Sequence, residues 1–161
     1  MDGTDARLLM ALADDPRATI MSLAGTLGIS RNTVQARLAR IEGADTLSSF
    51  ERRVSPQALG YQLTAFIDAT VTQQLLDEVA DALAAIPEVL EVFGISGGVD
   101  LLIRVAARDA DDLYRVAGRI LATRGIERTE TALVMRNLVD YRVRPLLSRL
   151  ARDDSSARRS S

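Results

Sequence analysis

Residues 20–42, IMSLAGTLGISRNTVQARLARIE, carry side chains that could bind a nucleic acid. Arginines can pair with phosphates or read guanine, and amides and hydroxyls can hydrogen-bond to base edges. A serine ahead of the last helical run could also present a helix N-terminus to a phosphate. The residues predicted to contact DNA are Ser30, Arg31, Asn32, Thr33, Gln35, Arg37 and Arg40.

The spacing within this stretch predicts a helix-turn-helix. Ala24 is small enough to let a second helix cross closely, and Gly28 tolerates the positive φ that the turn needs. The second helix of such a motif enters the major groove, where its N-terminal residues reach base edges. A plain three-helix bundle with exposed arginines is the alternative. The apolar residues expected to lock the helices together are Leu23, Leu27, Ile29, Val34 and Leu38.

Charge is unevenly distributed along the chain. All 20 basic residues are arginine, and 22 acidic residues give a net charge of −2. The stretch from Arg17 to Ile41 contains four arginines, Arg17 included, and no acidic residue. A local basic surface on an acidic chain suits a polyanion, although a solvated helix face has the same composition. Arg52 and Arg53 are candidate phosphate contacts, or equally an ordinary solvated pair.

A second candidate site is the turn Gly97-Gly98-Val99-Asp100. Glycines leave backbone N–H groups accessible to a carboxylate, and an aspartate can accept hydrogen bonds from an ammonium group. Such a turn could hold both ends of a free amino acid. An ordinary Gly-Gly hairpin is the commoner meaning of the same pattern.

Several classes of function are excluded or disfavoured by composition. The chain has no cysteine and no histidine, which excludes disulfides, thiolate or imidazole metal sites and Ser–His or Cys–His catalysis. We therefore predict no metal, no cofactor and no catalytic residues. No apolar run is long enough to span a bilayer, and no signal peptide is recognisable, so we expect a cytoplasmic, nucleoid-associated protein without a membrane partner.

The elements that must position the first site are three helices. We expect the first from Thr4, as its cap, to about residue 14; the second over 21–27, capped by Thr19 or Ser22; and the third from the cap Ser30 to about residue 43. Extended pieces at 46–50 and 52–55 are expected to form a wing. The predicted DNA-binding domain covers residues 1–60.

The second half of the chain is predicted to alternate strands with helices, unlike the all-helical start. Strands at 63–71, 89–95, 100–106 and 128–137, with helices at 75–86 and 110–122, give the order βαββαβ. This order predicts an α+β, ferredoxin-like domain over 61–150, with both helices on one face of an antiparallel sheet. The uncovered face predicts dimerisation. Residues 139–150 are expected to add a strand extension and a short helix, and 151–161 a disordered tail.

Taken in order, these motifs resemble the Lrp/AsnC, or feast/famine, family of bacterial and archaeal transcriptional regulators. The family pattern D-x-x-D-x-x-[IL]-L stands at residues 2–9, and L-x-x-D-x-R stands at 12–17. G-x-x-D stands at 97–100, and R-T-x-T at 128–131. One departure is Asp45, where the family usually has glycine.

The resemblance implies a winged helix-turn-helix joined to an amino-acid-sensing domain, in dimers often assembled as octamers of four dimers. The effector would bind between dimers, with Asp100 taking its ammonium group and the glycine amides its carboxylate. A ligand-independent architectural DNA-binding protein of the same fold is the alternative; an enzyme is a third, less favoured one. The effector residues implied are Gly97, Gly98, Val99, Asp100, Thr129 and Thr131.

Overall fold

A computed structural model describes residues 1–44, 46–48 and 54–157. The chain divides into two compact units: one joins the part before residue 50 to the part after residue 138, and the other takes the residues between. The helices and strands are α1 (Gly3–Asp14), α2 (Ile20–Leu27), α3 (Arg31–Glu42), β1 (Leu63–Val71), α4 (Leu76–Ala84), β2 (Val89–Gly94), β3 (Leu101–Ala107), α5 (Ala110–Leu121), β4 (Ile126–Leu133) and α6 (Arg144–Ala157).

The predicted wing falls partly outside the described residues. Asp45, Arg52 and Arg53 are not among them, and neither is most of the two extended pieces. The described parts, residues 46–48 and 54–55, are not strands. Short 3-10 turns occupy Pro56–Leu59 and Gln73–Leu75. Of the helices in the described ranges, none combines the length and the apolar character needed to cross a membrane.

Local capping sets the ends of the first three helices. Asp2, not the predicted Thr4, caps α1, because its carboxylate accepts hydrogen bonds from the Thr4 and Asp5 amides. The Asp2 amide in turn donates to the Asp5 carboxylate at 2.8 Å, which completes a capping box. Of the two candidate caps of α2, the structure has Thr19 and not Ser22, and the predicted cap Ser30 of α3 is confirmed.

The turn between α2 and α3 has the geometry that the sequence predicts. Gly28 ends α2 with φ of 66°, in the left-handed region where a side chain is unfavourable. Ala24 is buried at the crossing. The core of this unit is made by Leu8, Leu23, Ala24, Val34 and Ile41, with Leu27, Ile29 and Leu38 partly buried against it.

A second face of α1 is covered by α6, which the sequence analysis did not predict. The two helices run antiparallel, since Arg144 at the start of α6 bonds both carboxylate oxygens of Asp14, whereas Asp154 near its end lies against Gly3. The expected disordered tail is therefore wrong for residues 151–157, and the expected strand extension is absent from 139–143. The half-buried side chains of α6 include Leu147, Leu150 and Ala151.

The domain boundaries change accordingly. The chain end predicted to belong with the sheet packs instead with the helices of the first unit, and the division falls near residue 50, not at residue 60. The cause is tertiary: α6 packs against a helix that lies 130 or more residues earlier in the chain.

The second unit is the predicted antiparallel α+β domain. Its sheet has the strand order β2-β3-β1-β4, and every neighbouring pair is antiparallel. Alternate residues of β1 and β3 face α4 and α5, as period-two side chains must. The core is built around Ile67, Leu83, Ile103, Val116 and Ile120.

The opposite face of this sheet carries the other alternate residues. Phe93 pairs with Leu102, and Phe66 pairs with Arg104. Phe93 is 42% exposed to solvent. This surface, called the open face below, thus exposes apolar side chains in the single chain.

Gly3 provides a test of the α1–α6 packing. A Cβ at this position would lie 2.5 Å from the Cβ of Asp154, so Gly3→Ala forces the helices apart. We expect a loss of about 1–3 kcal/mol in the free energy of unfolding, measured by urea denaturation. Gly25→Ala is the matched control: no atom lies within 4 Å of its added Cβ, and we expect a gain of about 1 kcal/mol in α2. Equal gains in both variants would contradict the packing.

Candidate nucleic-acid interface and ligand cleft

The first half of α3 presents most of the predicted DNA-contacting residues together. Arg31, Asn32 and Gln35 are exposed. The Ser30 hydroxyl accepts a hydrogen bond from the Thr33 amide at 3.1 Å and lies 2.8 Å from the Thr33 hydroxyl. These two hydroxyls therefore fix the start of the helix, and the other three side chains extend from a capped, well-defined turn.

Arg37 is placed differently from its prediction. Its Nη1 donates to both carboxylate oxygens of Asp2, at 2.8 and 2.9 Å, and to Asp5 Oδ1 at 2.6 Å. The side chain is only 22% exposed. Arg37 lies three residues from buried Val34, so it belongs to the side of α3 that faces α1. The prediction that it faces DNA is corrected.

Arg40 is shared between α1 and solvent. Its Nη2 donates to Asp5 Oδ2 at 2.6 Å, yet 59% of the side chain is exposed. Asp5 itself is 1% exposed and receives both arginines. We call Asp2, Asp5, Arg37 and Arg40 the α1–α3 ion cluster.

Hydrogen bonding in this cluster favours ionised carboxylates. The Asp5 backbone amide and the Arg37 guanidinium lower the pKa of Asp2 from 3.8 to about 2. Burial alone would raise the pKa of Asp5, but hydrogen bonds from the Asp2 amide and Arg37 outweigh it, and the net pKa is lowered. The sequence analysis missed the cluster although its signal was visible: two aspartates three residues apart on α1 and two arginines three apart on α3.

In the Gly97–Asp100 turn, the aspartate accepts hydrogen bonds from within the chain. Gly97 adopts φ of 143°, which favours glycine. Asp100 Oδ2 accepts from the Val71 amide at 2.9 Å, and Oδ1 accepts from Gln73 Nε2 at 2.7 Å. Both carboxylate oxygens are thus engaged within the chain, where they hold the end of β1. That Asp100 takes the ammonium group of a ligand stays a prediction, since an ionised carboxylate can accept further hydrogen bonds.

A small cleft of about 80 Å³ lies beside this turn. Of the predicted effector residues, it contains Gly98, Val99 and Thr129, but not Gly97, Asp100 or Thr131. Thr131 pairs with Ile67, whose side chain is buried beneath the helices, so strand alternation puts Thr131 on that face. The lining residues that sequence analysis missed are Asp68, Thr70, Arg128 and Glu130.

These four missed residues come together through strand register. Asp68 pairs with Glu130, and Thr70 pairs with Arg128, all on the open face. Arg128 Nη2 lies 3.6 Å from Glu130 Oε2. The cleft therefore offers both an acidic and a basic group, which is the charge pattern that a zwitterion needs. Alternation within the two strands was readable from sequence, but their register was not.

A larger cleft of about 620 Å³ adjoins the open face beside β2. Its lining includes Leu59, Tyr61, Leu90 and Arg104. Leu59 is 67% exposed. This cleft extends the apolar character of the open face toward the sheet edge.

Comparison with known proteins gives two matches along the chain. Residues 1–42 match the model of the AsnC-type helix-turn-helix domain. Residues 64–144 match the model of the Lrp/AsnC ligand binding domain. The second model alone covers half of the chain, and the two matched segments contain the first half of α3 and the small cleft.

Whole-chain relatives agree. The HTH-type transcriptional regulator AldR of Mycolicibacterium smegmatis is 31% identical over 142 residues, covering 86% of this chain and 83% of that protein. The structure of E. coli AsnC superposes with a TM-score of 0.81 at 27% identity, covering 90% of this chain and 99% of that one. A feast or famine regulatory protein from M. tuberculosis, complexed with L-methionine, gives 0.77 at 29% identity, covering 88% and 96%.

Because of the ion cluster, we expect the free energy of unfolding of the first unit to fall at acid pH. The pKa of Asp2 is lowered from 3.8 to about 2 on folding, so its contribution is present above pH ~4 and is lost as pH falls toward 2. Asp2→Asn keeps a good helix cap but removes the charge. We expect its urea midpoint to lie below that of the wild type above pH ~4, and the difference to close near pH 2, measured by circular dichroism. A difference independent of pH would contradict this assignment.

Proposed function

The chain belongs to the Lrp/AsnC family of transcriptional regulators, and on that premise we propose that it is a sequence-specific DNA-binding regulator whose DNA affinity or assembly responds to a small amino acid. The observation that carries the DNA-binding part is the exposed first half of α3, held on a packed helix-turn-helix. Ser30 and Thr33 fix its start, and Arg31, Asn32 and Gln35 extend from it. This is the part of a recognition helix that reaches base edges.

The effector part of the proposal rests on the small cleft. Arg128 can pair with a carboxylate, and Asp68 or Glu130 can accept hydrogen bonds from an ammonium group. Gly98 allows a ligand to approach the backbone closely. The M. tuberculosis relative complexed with L-methionine supports an amino acid as the class of ligand.

The volume of the cleft bears on where the effector would sit. The cleft, at about 80 Å³, is well below the roughly 300–1,000 Å³ of a typical small-molecule pocket. We therefore propose that a second copy completes the site. An effector that touches two copies can shift assembly, because it stabilises only the arrangement in which both sides are present.

The open face is our proposed dimer interface. It exposes Phe93, and the larger cleft beside it exposes Leu59; proteins rarely leave a large apolar surface uncovered. Dimers paired through this face could assemble further, as four dimers in an octamer.

A ligand-independent architectural DNA-binding protein is the second candidate. One observation favours it: Asp100, the expected acceptor of an ammonium group, is occupied by Val71 and Gln73. Such a protein would bind DNA and assemble without responding to amino acids.

A DNA titration distinguishes these two functions. Fluorescence anisotropy with the duplex upstream of the protein's own gene should show tight, salt-sensitive binding. Each of the twenty amino acids is added in turn, beginning with L-methionine, and we expect one to change the affinity or the oligomeric state. DNA affinity and oligomeric state unchanged by all twenty amino acids would favour the architectural function. Failure to bind either this duplex or random duplex would overturn both.

Asp68 tests the effector assignment. Asp68→Asn removes an acidic group from the cleft, so we expect at least a tenfold rise in the amino-acid concentration that gives half of the response, with DNA affinity in the absence of effector unchanged. Asp81→Asn is the control, since Asp81 is an exposed acid on α4, away from the cleft. Equal responses in both variants would place the effector elsewhere.

Phe93 tests the dimer interface. Phe93→Asp puts a charge into the open face, and we expect the measured mass to shift toward the monomer in size-exclusion chromatography with light scattering. Tyr114→Asp is the control, because Tyr114 is 84% exposed on α5, on the other side of the sheet. A mass unaffected by Phe93→Asp would exclude the open face as the interface.

A further inference from the structure

We propose that the recognition helix reads A·T base pairs, with the amides of Asn32 and Gln35 on adenine and the methyl groups of Ala36 and Ala39 on thymine. This inference rests on the proposed function, that the chain binds DNA through α3, and adds which bases it selects. Asp5 then has the role of a positioning residue, because it sets which face of α3 is presented.

The inward side of α3 determines how the helix is rotated about its own axis. Val34 and Ile41 are buried in the core, and Arg37 is tied to Asp2 and Asp5. These residues mark the inward side of the helix. The ion cluster adds short, charge-assisted hydrogen bonds to the apolar contacts, so the rotation is determined on that side by both packing and charge.

The opposite side of α3 is exposed and uncharged. Asn32, Gln35, Ala36 and Ala39 are all exposed. Their spacing of i, i+3, i+4 and i+7 places them in one stripe along the helix, opposite the inward side. None of the four is charged. Arg31 lies one residue earlier, about 100° around the axis, and flanks the stripe where a phosphate backbone would run.

The side chains of this stripe match the base edges of A·T pairs. In the major groove, asparagine and glutamine pair in bidentate fashion with the N6 and N7 atoms of adenine, whereas guanine is read chiefly by arginine or lysine. The methyl group of alanine packs against the C5 methyl of thymine. Two amides and two alanines on one stripe therefore suit A·T pairs. Small residues at 36 and 39 also let the helix lie deep in the groove.

Without the ion cluster, the arginines of α3 would suggest that this helix reads guanine. Three arginines occur in α3, but Arg37 is committed to Asp2 and Asp5, and Arg40 contacts Asp5. Guanine reading by Arg37 would require breaking charge-assisted hydrogen bonds to a carboxylate that is 1% exposed, and Arg40 has one of its nitrogens bonded to the same carboxylate.

The experiment begins with selection of bound duplexes from a random library by the full-length wild type. Anisotropy then measures the selected duplex and versions with each A·T pair replaced by G·C. We expect replacement to weaken wild-type binding roughly 5- to 150-fold at the positions that the amides read. Asn32→Ala or Gln35→Ala should each lose discrimination at one such position, and keep it at the others.

Thymine contacts are tested by replacing thymine with deoxyuracil, which removes only the C5 methyl group. We expect wild-type binding to weaken about twofold to fivefold at the position that Ala36 contacts. Ala36→Gly should bind the two duplexes equally. The comparison is made within one protein, so any loss of helix stability caused by glycine cancels.

The positioning role is tested by salt dependence and by Asp5. Arg31→Gln should reduce the slope of log affinity against log salt by about one, whereas Arg37→Gln should leave the slope unchanged. Asp5→Asn, if folded by circular dichroism, should weaken discrimination of A·T from G·C. If Asp5→Asn does not fold, the Arg37→Gln slope decides, since a DNA-contacting Arg37 would lower it.

Three results would overturn the inference while leaving the proposed function standing. They are selected duplexes with G·C pairs at the positions coupled to Asn32 and Gln35, equal discrimination by these variants and the wild type, and a lowered slope for Arg37→Gln. Absence of binding to any duplex by the folded wild type would instead overturn the proposed function itself.

Discussion

The arrangement of the DNA-binding unit depends on one buried carboxylate. Asp5 is 1% exposed and accepts hydrogen bonds from Arg37 and Arg40 of α3, as well as from the Asp2 amide. A buried charge is tolerated only when it is paired and hydrogen-bonded, so α1 and α3 must meet at this point. The same contact caps α1, orients α3, and removes Arg37 from the surface. Cap, packing and the choice of exposed face therefore follow from one interaction.

Features that depend on neighbours in the sequence were predictable, and features that depend on distant partners were not. Strand β1 begins and ends where period-two alternation placed it, at Leu63–Val71, and Gly28 and Ser30 form the turn and cap that their residue types favour. Arg37, by contrast, looks like a surface arginine until Asp2 and Asp5, more than thirty residues earlier, are brought beside it.

The small cleft beside the Gly97–Asp100 turn likewise combines a predictable local feature with an unpredictable distant one. The Gly97–Asp100 turn was visible in the sequence, but the carboxylate of Asp100 accepts from Val71, 29 residues away, and so serves the fold. The acidic groups of the cleft come instead from strand register, which sets Asp68 opposite Glu130. Like charges in direct cross-strand pairs destabilise a sheet, and Arg128 offsets part of that repulsion. A bound ammonium group would offset more of it.

Helix α6 packs the end of the chain against α1. Strand β4 carries Arg128 and Glu130 of the cleft, and residues 134–143 connect it directly to α6, which packs on α1. Helix α1 in turn holds α3 through Asp5. The DNA-binding unit is thus built from both ends of the chain, and the sheet unit is inserted between them. Along the sequence, two stretches of chain therefore join the units, one after α3 and one between β4 and α6.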